Sequence, residues 1–536
     1  MSNQTKTTET VPRSAEPFPA ADYPDYLRDE SRRSGTAESI SFPACATAAQ
    51  ADLAAAFERG QTVTVQSART GITAGAVPDG GHIINLSRMQ RLLGLRRDST
   101  GAFLLRTEPG VLLADLRAAI AQGELPGDPE TIAAFRQQGP FWFPPDPTET
   151  SAALGGMIAC NASGALTFRY GPTRNYINAL RVLLPDGNAI ELRRGREKAS
   201  GRNFTLVTEA GRTLQGSLPS YAMPAVKSAA GLYAAPDMDM VDLFIGAEGV
   251  LGVIAEAELR LPPAPRNVCG VMAFMPDENT ALTLVEILRE PVDDSGIPLP
   301  AAIEFFDANA LNLLRRRRDD TAAFADLPEM PQDWHTALYL EFHGDSAAEL
   351  EQALEIFIEK MEAAGASSED SWVADSPPEV QRQKRFRHAL PEAVNLLIDQ
   401  HKRSDSRITK LGTDLAAPAE YLRDMMKMYH SDLQAAGLEY VIFGHIGNTH
   451  VHVNILPRDM ADYETGKALY VQWAQNITAR GGTVSAEHGI GKLKRELLEV
   501  MYGRDGLAGM AAVKRIFDPH GRLNRGNLFV TATEQL

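Results

Sequence analysis

The chain has 536 residues, of which 44% are hydrophobic and 23% are charged. This is the composition of an ordinary globular protein, and the length exceeds what one core supports, so two or three domains are expected. The net charge of −16 argues against a nucleic-acid partner and gives no basic patch for an anionic lipid surface. A carboxylate substrate would therefore need local positive charge in its site.

The cysteine spacing and the apolar runs indicate which cofactors, compartment and membrane segments to expect. Cys45, Cys160 and Cys269 show no paired spacing, which argues against an iron–sulfur cluster or a zinc-thiolate site and fits a reducing compartment. Residues 1–12 lack the apolar core of a secretory signal, and no run of 18 apolar residues occurs. We therefore expect a cytoplasmic protein without a transmembrane span.

The first half of the chain alternates short strands and helices. Residues 1–40 are polar and are predicted to form an N-terminal extension. Helical spacing over 46–59 is followed by a strand-like run over 61–67. Two apolar runs flank Asp186–Gly187, a pattern typical of a β-hairpin. These patterns predict an α+β domain over 41–265.

A proline-rich linker at 262–265 separates a second region. Ser346 and Glu349 form a capping box, which predicts a helix over 350–363. Strand-like runs occur at 268–275, at 337–342, and near Tyr440 and Val453. Together they predict a second α+β domain, over 266–510, with an antiparallel sheet and helices on one face.

Four histidines and a carboxylate gather near the C-terminal end, at His445, His450, His452, Glu487 and His488. As part of a strand, His452 and Asn454 would share one face, and a glycine-containing turn could return His445 to it. Two imidazoles and one carboxylate are usual ligands of a catalytic divalent metal. The same pattern also fits a polar strand end with hydrogen-bonded core histidines, so both interpretations remain open.

Glycine-rich runs occur in the first domain. Gly155–Gly156 and Asn161–Gly164 would let the backbone approach a flat or phosphorylated ligand closely. No dinucleotide-binding GxGxxG with a following acidic residue is present, so nicotinamide is not expected. The run over 67–73 follows a strand, but it also fits a generic surface turn.

These runs carry a resemblance to a known family. Segments 69–78, 144–164 and 246–252 resemble the flavin-cradling region of FAD-linked oxidases of the vanillyl-alcohol oxidase type. Segments 443–454 and 485–491 resemble the substrate domain of the D-2-hydroxyacid dehydrogenase branch. The resemblance, in one order from about Gln50 to Phe529, implies a two-subdomain FAD-binding domain and an α+β substrate domain. It also implies that residues 511–536 return to the FAD-binding domain.

The resemblance implies FAD as the cofactor. The first loop lacks the histidine that tethers flavin in some relatives, so FAD is expected to be noncovalent; Cys160 is expected to be a packing residue and His82 a surface histidine. The implied flavin-binding residues are Arg69, Thr70, Gly71, Asp146, Gly155, Gly156, Asn161, Gly164, Glu248, Gly252 and Asn524.

The resemblance also implies a metal site and catalytic residues. His445, His452 and Glu487 would bind zinc or manganese. The catalytic residues would be His488, which takes the substrate hydroxyl proton, Arg387, which binds the carboxylate, and Asn454, which orients the substrate or a metal ligand. A hydride would pass from Cα to flavin N5. Two departures from the family pattern leave the roles of His450 and Lys410 open.

The expected activity is FAD-dependent oxidation of a D-2-hydroxy acid to the 2-oxo acid. D-lactate is favoured on family frequency, and the electron acceptor would be a quinone, a cytochrome or an electron-transfer flavoprotein. Two alternatives share the fold: a non-redox ether-lipid synthase, and a partner-dependent subunit of the glycolate oxidase type. The Glu487–His488 pair favours the dehydrogenase. A homodimer is left open.

Overall fold

The computed structural model describes residues 16–291, 299–325 and 327–530. The secretory-signal interpretation of residues 1–12, and part of the predicted extension, lie outside these ranges. The first half contains β1 Phe18–Pro19, β2 Ser39–Ser41, α1 Ala46–Glu58, β3 Val63–Gln66, β4 His82–Asn85, β5 Leu92–Arg97, β6 Phe103–Thr107, α2 Leu113–Gln122, α3 Pro129–Gln138, α4 Leu154–Ala159, α5 Thr167–Tyr170, β7 Ile177–Leu183, β8 Ala189–Arg193, β9 Asn203–Val207, β10 Thr213–Ser217, α6 Val241–Phe244 and β11 Val253–Leu261.

The second half begins with β12. It contains β12 Asn267–Met275, α7 Glu278–Arg289, β13 Ala302–Phe306, α8 Ala308–Asp320, β14 Thr336–Gly344, α9 Ala347–Ala363, β15 Ser371–Ala374, α10 Pro377–His401, β16 Leu411–Gly412, α11 Leu422–Ala435, β17 Tyr440–Gly444, β18 His452–Ile455, α12 Met460–Thr478 and α13 Arg495–Phe517. A break at Gly503, where φ is 66°, interrupts α13. Among the residues described, no helix combines the length and apolar character needed to cross a bilayer.

The first half forms two main sheets. One has the order β1-β2-β4-β3, with β4 parallel to both β2 and β3, and the other is antiparallel with the order β5-β6-β11-β7-β8. The hairpin predicted around Asp186–Gly187 is confirmed, because Leu183 pairs with Ala189 across the turn. Strands β9 and β10 form a separate two-stranded antiparallel ribbon.

The second half is built on a seven-stranded antiparallel sheet with the order β15-β12-β14-β13-β17-β18-β16. Helices cover both faces of this sheet, so the prediction of helices on one face was wrong. Val271 and Ala273 of β12 join a core with residues of α7 and α9, while Met272 and Phe274 join a core with residues of α8 and α10. The nearly continuous apolar run of β12 is typical of a strand buried on both faces.

The predicted capping of α9 is confirmed, and α7 begins with the same kind of cap. The Ser346 hydroxyl accepts a hydrogen bond from the Glu349 amide at 3.2 Å, and α9 begins at Ala347, directly after Ser346. The Asp277 carboxylate accepts from the Thr280 amide at 2.7 Å at the start of α7. Both are side-chain N-caps, which satisfy amides that have no partner within the helix.

The last described segment packs against the first sheet. The Asn524 amide donates to the carbonyl of Val63 at 2.8 Å, and the Asn524 side-chain oxygen accepts from the Val65 amide at 2.8 Å. Leu523 also forms a parallel bridge with Val63. Segments about 460 residues apart in the chain therefore lie side by side at this sheet.

Candidate active site

An open cavity of about 370 Å³ lies between the glycine-rich loops of the first half. It is lined by the loop after β3, by α4 and by the segment before β11, and it reaches Glu487 and His488. Eight of the residues expected to bind flavin line it: Arg69, Thr70, Gly71, Gly155, Gly156, Glu248, Gly252 and Asn524. The cavity therefore joins two sets of predicted functional residues that are distant in sequence.

The glycines fit a bound flavin nucleotide. A Cβ atom added at Gly71 or Gly156 would meet no atom within 4 Å, and both residues line the cavity. Their backbone therefore faces open space that a ligand can approach closely, as a pyrophosphate requires. Gly155 differs, because a Cβ there would lie 2.7 Å from Pro109 and would disturb packing instead.

Three of the predicted flavin residues do not line the cavity directly. The Asn161 side chain accepts from the Arg174 amide at 3.0 Å and donates to the Ser228 carbonyl at 3.3 Å. A Cβ at Gly164 would collide with the carbonyl of Asp146. These residues fix the shape of the surrounding loops, and their amide and backbone groups are already engaged.

Arg69 lies at the cavity but directs its charge elsewhere. Its φ is 61°, in the left-handed region that glycine adopts most easily. The guanidinium lies 4.1 Å from the ring centre of Tyr26 and donates to the carbonyl of Asp25. Arg69 therefore anchors the segment before β2.

Hydrogen bonds of Glu248 and Asn524 connect the segments that line the cavity. The carboxylate of Glu248 accepts from the amides of Ile490 and Gly491 at 2.6 and 2.7 Å. Burial raises the pKa of Glu248 to about 7, and these two amides oppose the shift. The Asn524 side chain donates to the Glu248 carbonyl at 2.8 Å, so the C-terminal segment and the loop after Glu487 are held together.

Burial shifts the pKa values of two other residues of the first half, Cys160 and His82. Burial raises the pKa of the Cys160 thiol to about 12, so it stays protonated at neutral pH. The prediction that His82 is a surface residue was wrong: it is 1% exposed, in β4. Its ring nitrogens lie 2.9 and 3.0 Å from the hydroxyls of Ser39 and Ser41, and burial lowers its pKa to about 4. The parallel pairing of β2 with β4 places both serines beside it.

The predicted hairpin brings His445 and His452 together. Phe443 of β17 pairs with His452 of β18, and His445 follows β17 directly. Nε2 of His445 lies 3.0 Å and Nε2 of His452 lies 3.7 Å from the same oxygen of Glu487. Four potential ligand atoms lie within 4.8 Å of one another, one from each of His445, His450, His452 and Glu487. This donor set of nitrogen and oxygen fits a divalent metal ion.

An acceptor outside the cluster orients each of these two imidazoles. Nδ1 of His445 lies 2.5 Å from Glu304, and Nδ1 of His452 lies 2.9 Å from the carbonyl of Thr413. Such contacts fix the ring and its tautomer, so Nε2 is the nitrogen that is directed at Glu487 and that could bind a metal. Glu304 was not predicted, although a single carboxylate in the apolar strand β13 was an available signal.

Lys227 is the main site residue that the sequence did not reveal. Its ammonium lies 2.5 Å from the Glu487 oxygen that faces away from the imidazoles, and Ser163 donates to that oxygen at 3.4 Å. Burial opposes the charge of Glu487, but His445 and Lys227 outweigh it and hold the Glu487 pKa well below its usual range. Lys227 lies outside any recognisable motif, between β10 and α6.

His488 lies against His452, and Asp414 holds it in place. The rings of His488 and His452 are stacked, with centres 5.3 Å apart and planes at 16°. Asp414 accepts from the His488 amide at 3.0 Å, from the Lys494 ammonium at 2.7 Å and from the Ser485 hydroxyl at 2.6 Å. Burial lowers the pKa of His488 to about 4, and Asp414 opposes that shift. His488 is therefore neutral at pH 7.

The remaining predicted residues lie at different distances from the cluster. Arg387 of α10 is 12% exposed, and its guanidinium lies 3.7 Å from Glu304, the carboxylate that contacts His445. Asn454 is buried in β18, two residues after His452. Lys410 is exposed just before β16. The structure thus places Arg387 next to the cluster through Glu304.

The fold and this cavity define a flavoprotein with a histidine cluster at one end of its cofactor site. Residues 264–528 match the family described as "FAD linked oxidases, C-terminal domain", and residues 37–136 and 132–193 match "FAD binding domain". The chain belongs to the FAD-linked oxidases.

The chain is similar to proteins that are named as different enzymes. A D-lactate dehydrogenase of Anaerostipes hadrus is 29% identical over 87% of this chain and 84% of its own length. A D-2-hydroxyglutarate dehydrogenase of Stutzerimonas stutzeri is 27% identical over 86% of this chain and 84% of its own length. The solved structure of an alkyldihydroxyacetonephosphate synthase matches with a TM-score of 0.56 and 16% identity, covering 90% of this chain and 76% of that one. That likeness concerns the fold alone, and the predicted fold class is confirmed.

Proposed function

We propose that this protein is an FAD-dependent dehydrogenase of a D-2-hydroxy acid, with D-lactate the favoured substrate. The observation that carries the proposal is that Glu487 and His488 line the flavin cavity while Glu487 also contacts the imidazoles of His445 and His452. A substrate held at this cluster would lie beside the flavin. The names of the two similar dehydrogenases support the same substrate class.

The cofactors would occupy adjoining places. The residues that line the cavity would hold FAD without a covalent bond, and the bound flavin would supply a hydride acceptor beside the substrate. Zinc or manganese held by His445, His452 and Glu487 would lower the pKa of the substrate hydroxyl. Support for the metal comes from the orientation of both imidazoles, whose Nδ1 atoms are already engaged by Glu304 and Thr413.

His488 would accept the hydroxyl proton. Its ring is neutral at pH 7 and 30% exposed, and it lines the cavity. Asp414 lies 3.5 Å from its Nδ1 and would stabilise the imidazolium that forms. Arg387 would bind the substrate carboxylate, and Asn454 would orient the substrate.

For the chain we further propose a FAD-binding domain over 41–265, a substrate domain over 266–510 and a returning segment over 511–536.

Anaerobic reduction of the bound flavin tests the proposal. The holoenzyme is mixed with D-lactate, D-2-hydroxyglutarate, glycolate and, as a matched control, L-lactate, and the flavin absorbance is followed. We expect bleaching by at least one achiral or D-acid and none by L-lactate. Absence of bleaching by the whole panel, in a preparation with bound FAD and metal, contradicts a dehydrogenase. The reduced enzyme can then be offered a quinone, a cytochrome and an electron-transfer flavoprotein to identify the acceptor.

A further inference from the structure

His450 is a third imidazole in the cluster, and it is fully buried. It is 0% exposed and comes two residues before His452. Its ring centre lies 5.3 Å from that of His445 and 4.6 Å from that of His452. One of its nitrogens is within 4.8 Å of the ligand atoms of His445, His452 and Glu487.

The two ring nitrogens of His450 have different surroundings. Nε2 lies 3.1 Å from the carboxylate of Asp414, but neither Nε2 nor Nδ1 makes a well-aligned hydrogen bond with the described residues. The Lys494 ammonium and the Ser485 hydroxyl also donate to Asp414, so its carboxylate is an acceptor beside Nε2. A neutral imidazole whose proton faces Asp414 would leave a lone pair on Nδ1.

A buried imidazole nitrogen without a hydrogen-bond partner costs stability. The two neighbouring histidines show how that cost is avoided at this site. His445 and His452 each give one nitrogen to an outer acceptor and turn the other toward Glu487. His450 likewise has one nitrogen beside a carboxylate, that of Asp414, and it offers a ligand atom within 4.8 Å of those of the other three residues. An imidazole whose far nitrogen is held by a carboxylate is a common form of metal ligand.

We propose that His450 is a fourth protein ligand of the metal, which gives a site of three histidines and Glu487. This inference rests on the proposed metal site and deepens it. Four protein ligands would complete a four-coordinate zinc site and leave no position for substrate. The site therefore favours an ion that accepts additional oxygen ligands, as manganese does.

X-ray absorption at the metal K-edge tests the ligand set, because scattering from imidazole rings reports how many are bound. The holoenzyme is loaded separately with Mn²⁺ or Zn²⁺, and metal affinity is measured by competition with a chelator. His450→Gln and His450→Leu remove the ligand with a polar and an apolar side chain. His520→Leu, at an exposed position after α13, is the matched control.

We expect three imidazoles in the parent enzyme, two in both His450 variants, and an affinity lowered about 10–100-fold, with FAD content unchanged. Two imidazoles in the parent overturn the role of His450 but leave the site of His445, His452 and Glu487 intact. A parent enzyme that binds neither ion overturns the metal site as well. If both variants fail to fold, the imidazole count of the parent alone decides.

Discussion

The ammonium of Lys227 lies 2.5 Å from one carboxylate oxygen of Glu487, and the other oxygen of Glu487 lies 3.0 Å from His445. One carboxylate thus connects a lysine of the flavin-binding half to an imidazole of the second half. The lysine side chain is 2% exposed, so water screens this contact very little. Because Lys227 engages one oxygen, it leaves the other directed at the imidazoles.

Replacing Lys227 with methionine should therefore weaken metal binding while FAD is retained. The Glu487 carboxylate would lose the contact that orients it, and we expect the metal affinity to fall about 10–100-fold. Competition with a chelator measures the affinity. Lys467→Met, at an exposed position of α12, is the control. Unchanged affinity in the Lys227 variant would mean that Glu487 is positioned by other contacts.

His488→Asn should slow flavin reduction without removing either cofactor. A general base contributes about 10²–10⁴-fold, so a decrease of that order is expected in stopped-flow reduction by the preferred acid. Metal and flavin content should match those of the parent. A variant that reduces its flavin nearly as fast as the parent would show that His488 only packs against His452.

Gly156→Val should yield colourless protein, since the added side chain would enter the cavity that the pyrophosphate needs. The parent should be yellow and should release its flavin into the supernatant on acid precipitation. Gly94→Val is the control, because Gly94 in β5 also has open space around its Cα but lies outside the cavity lining. Colour retained in the precipitate of the parent would indicate a covalent bond.

Removing the metal with a chelator should abolish turnover and leave FAD bound, because the proposed metal ligands are not among the residues expected to hold the flavin. His445→Ala, His452→Ala and Glu487→Ala should each behave like the chelated enzyme. Activity should return when Mn²⁺ or Zn²⁺ is added back to the chelated parent but not to these variants. Full turnover in a preparation that elemental analysis finds metal-free contradicts the metal assignment.

Glu341→Gln should lower stability in a pH-dependent way. Burial opposes ionisation of Glu341, but His343 and Lys384, each 2.8 Å away, outweigh it and hold its pKa well below the usual range. The stabilisation is fully present above the unfolded pKa and is lost as the pH falls through the folded pKa. We expect a loss of about 1–3 kcal/mol at pH 7 that begins to shrink only below the unfolded pKa of about 4. Denaturant unfolding at pH values from neutral to strongly acidic checks it, and a difference that stays unchanged well below the unfolded pKa would refute it.

The sequence predicted the histidine hairpin because its information is local. Alternating residues around His452 and a short turn after His445 determine their common position. Glu304, Asp414 and Lys227 were not predicted, because their contacts join segments far apart in the chain. A pattern of neighbours cannot report such contacts, whereas the resemblance to a family can indicate only the residues that its motifs contain.

The second face of the seven-stranded sheet was missed for a related reason. An apolar run such as β12 has no polar face, so its alternation gives no indication of how many layers cover it. The surroundings of His82 were also non-local, because the serines of β2 that contact it come from a strand about 40 residues earlier in the chain.

The bridge between Val63 and Leu523 has a consequence for how the protein is made. During synthesis the strands of the first sheet leave the ribosome long before the segment around Leu523 that pairs with β3. Until that segment arrives, the Val65 amide and the carbonyl of Glu248 lack their bonds to Asn524. Contacts of such long sequence separation form slowly and after local ones. The flavin cradle is therefore complete only after the segment around Asn524 has been synthesised and has paired with the first sheet.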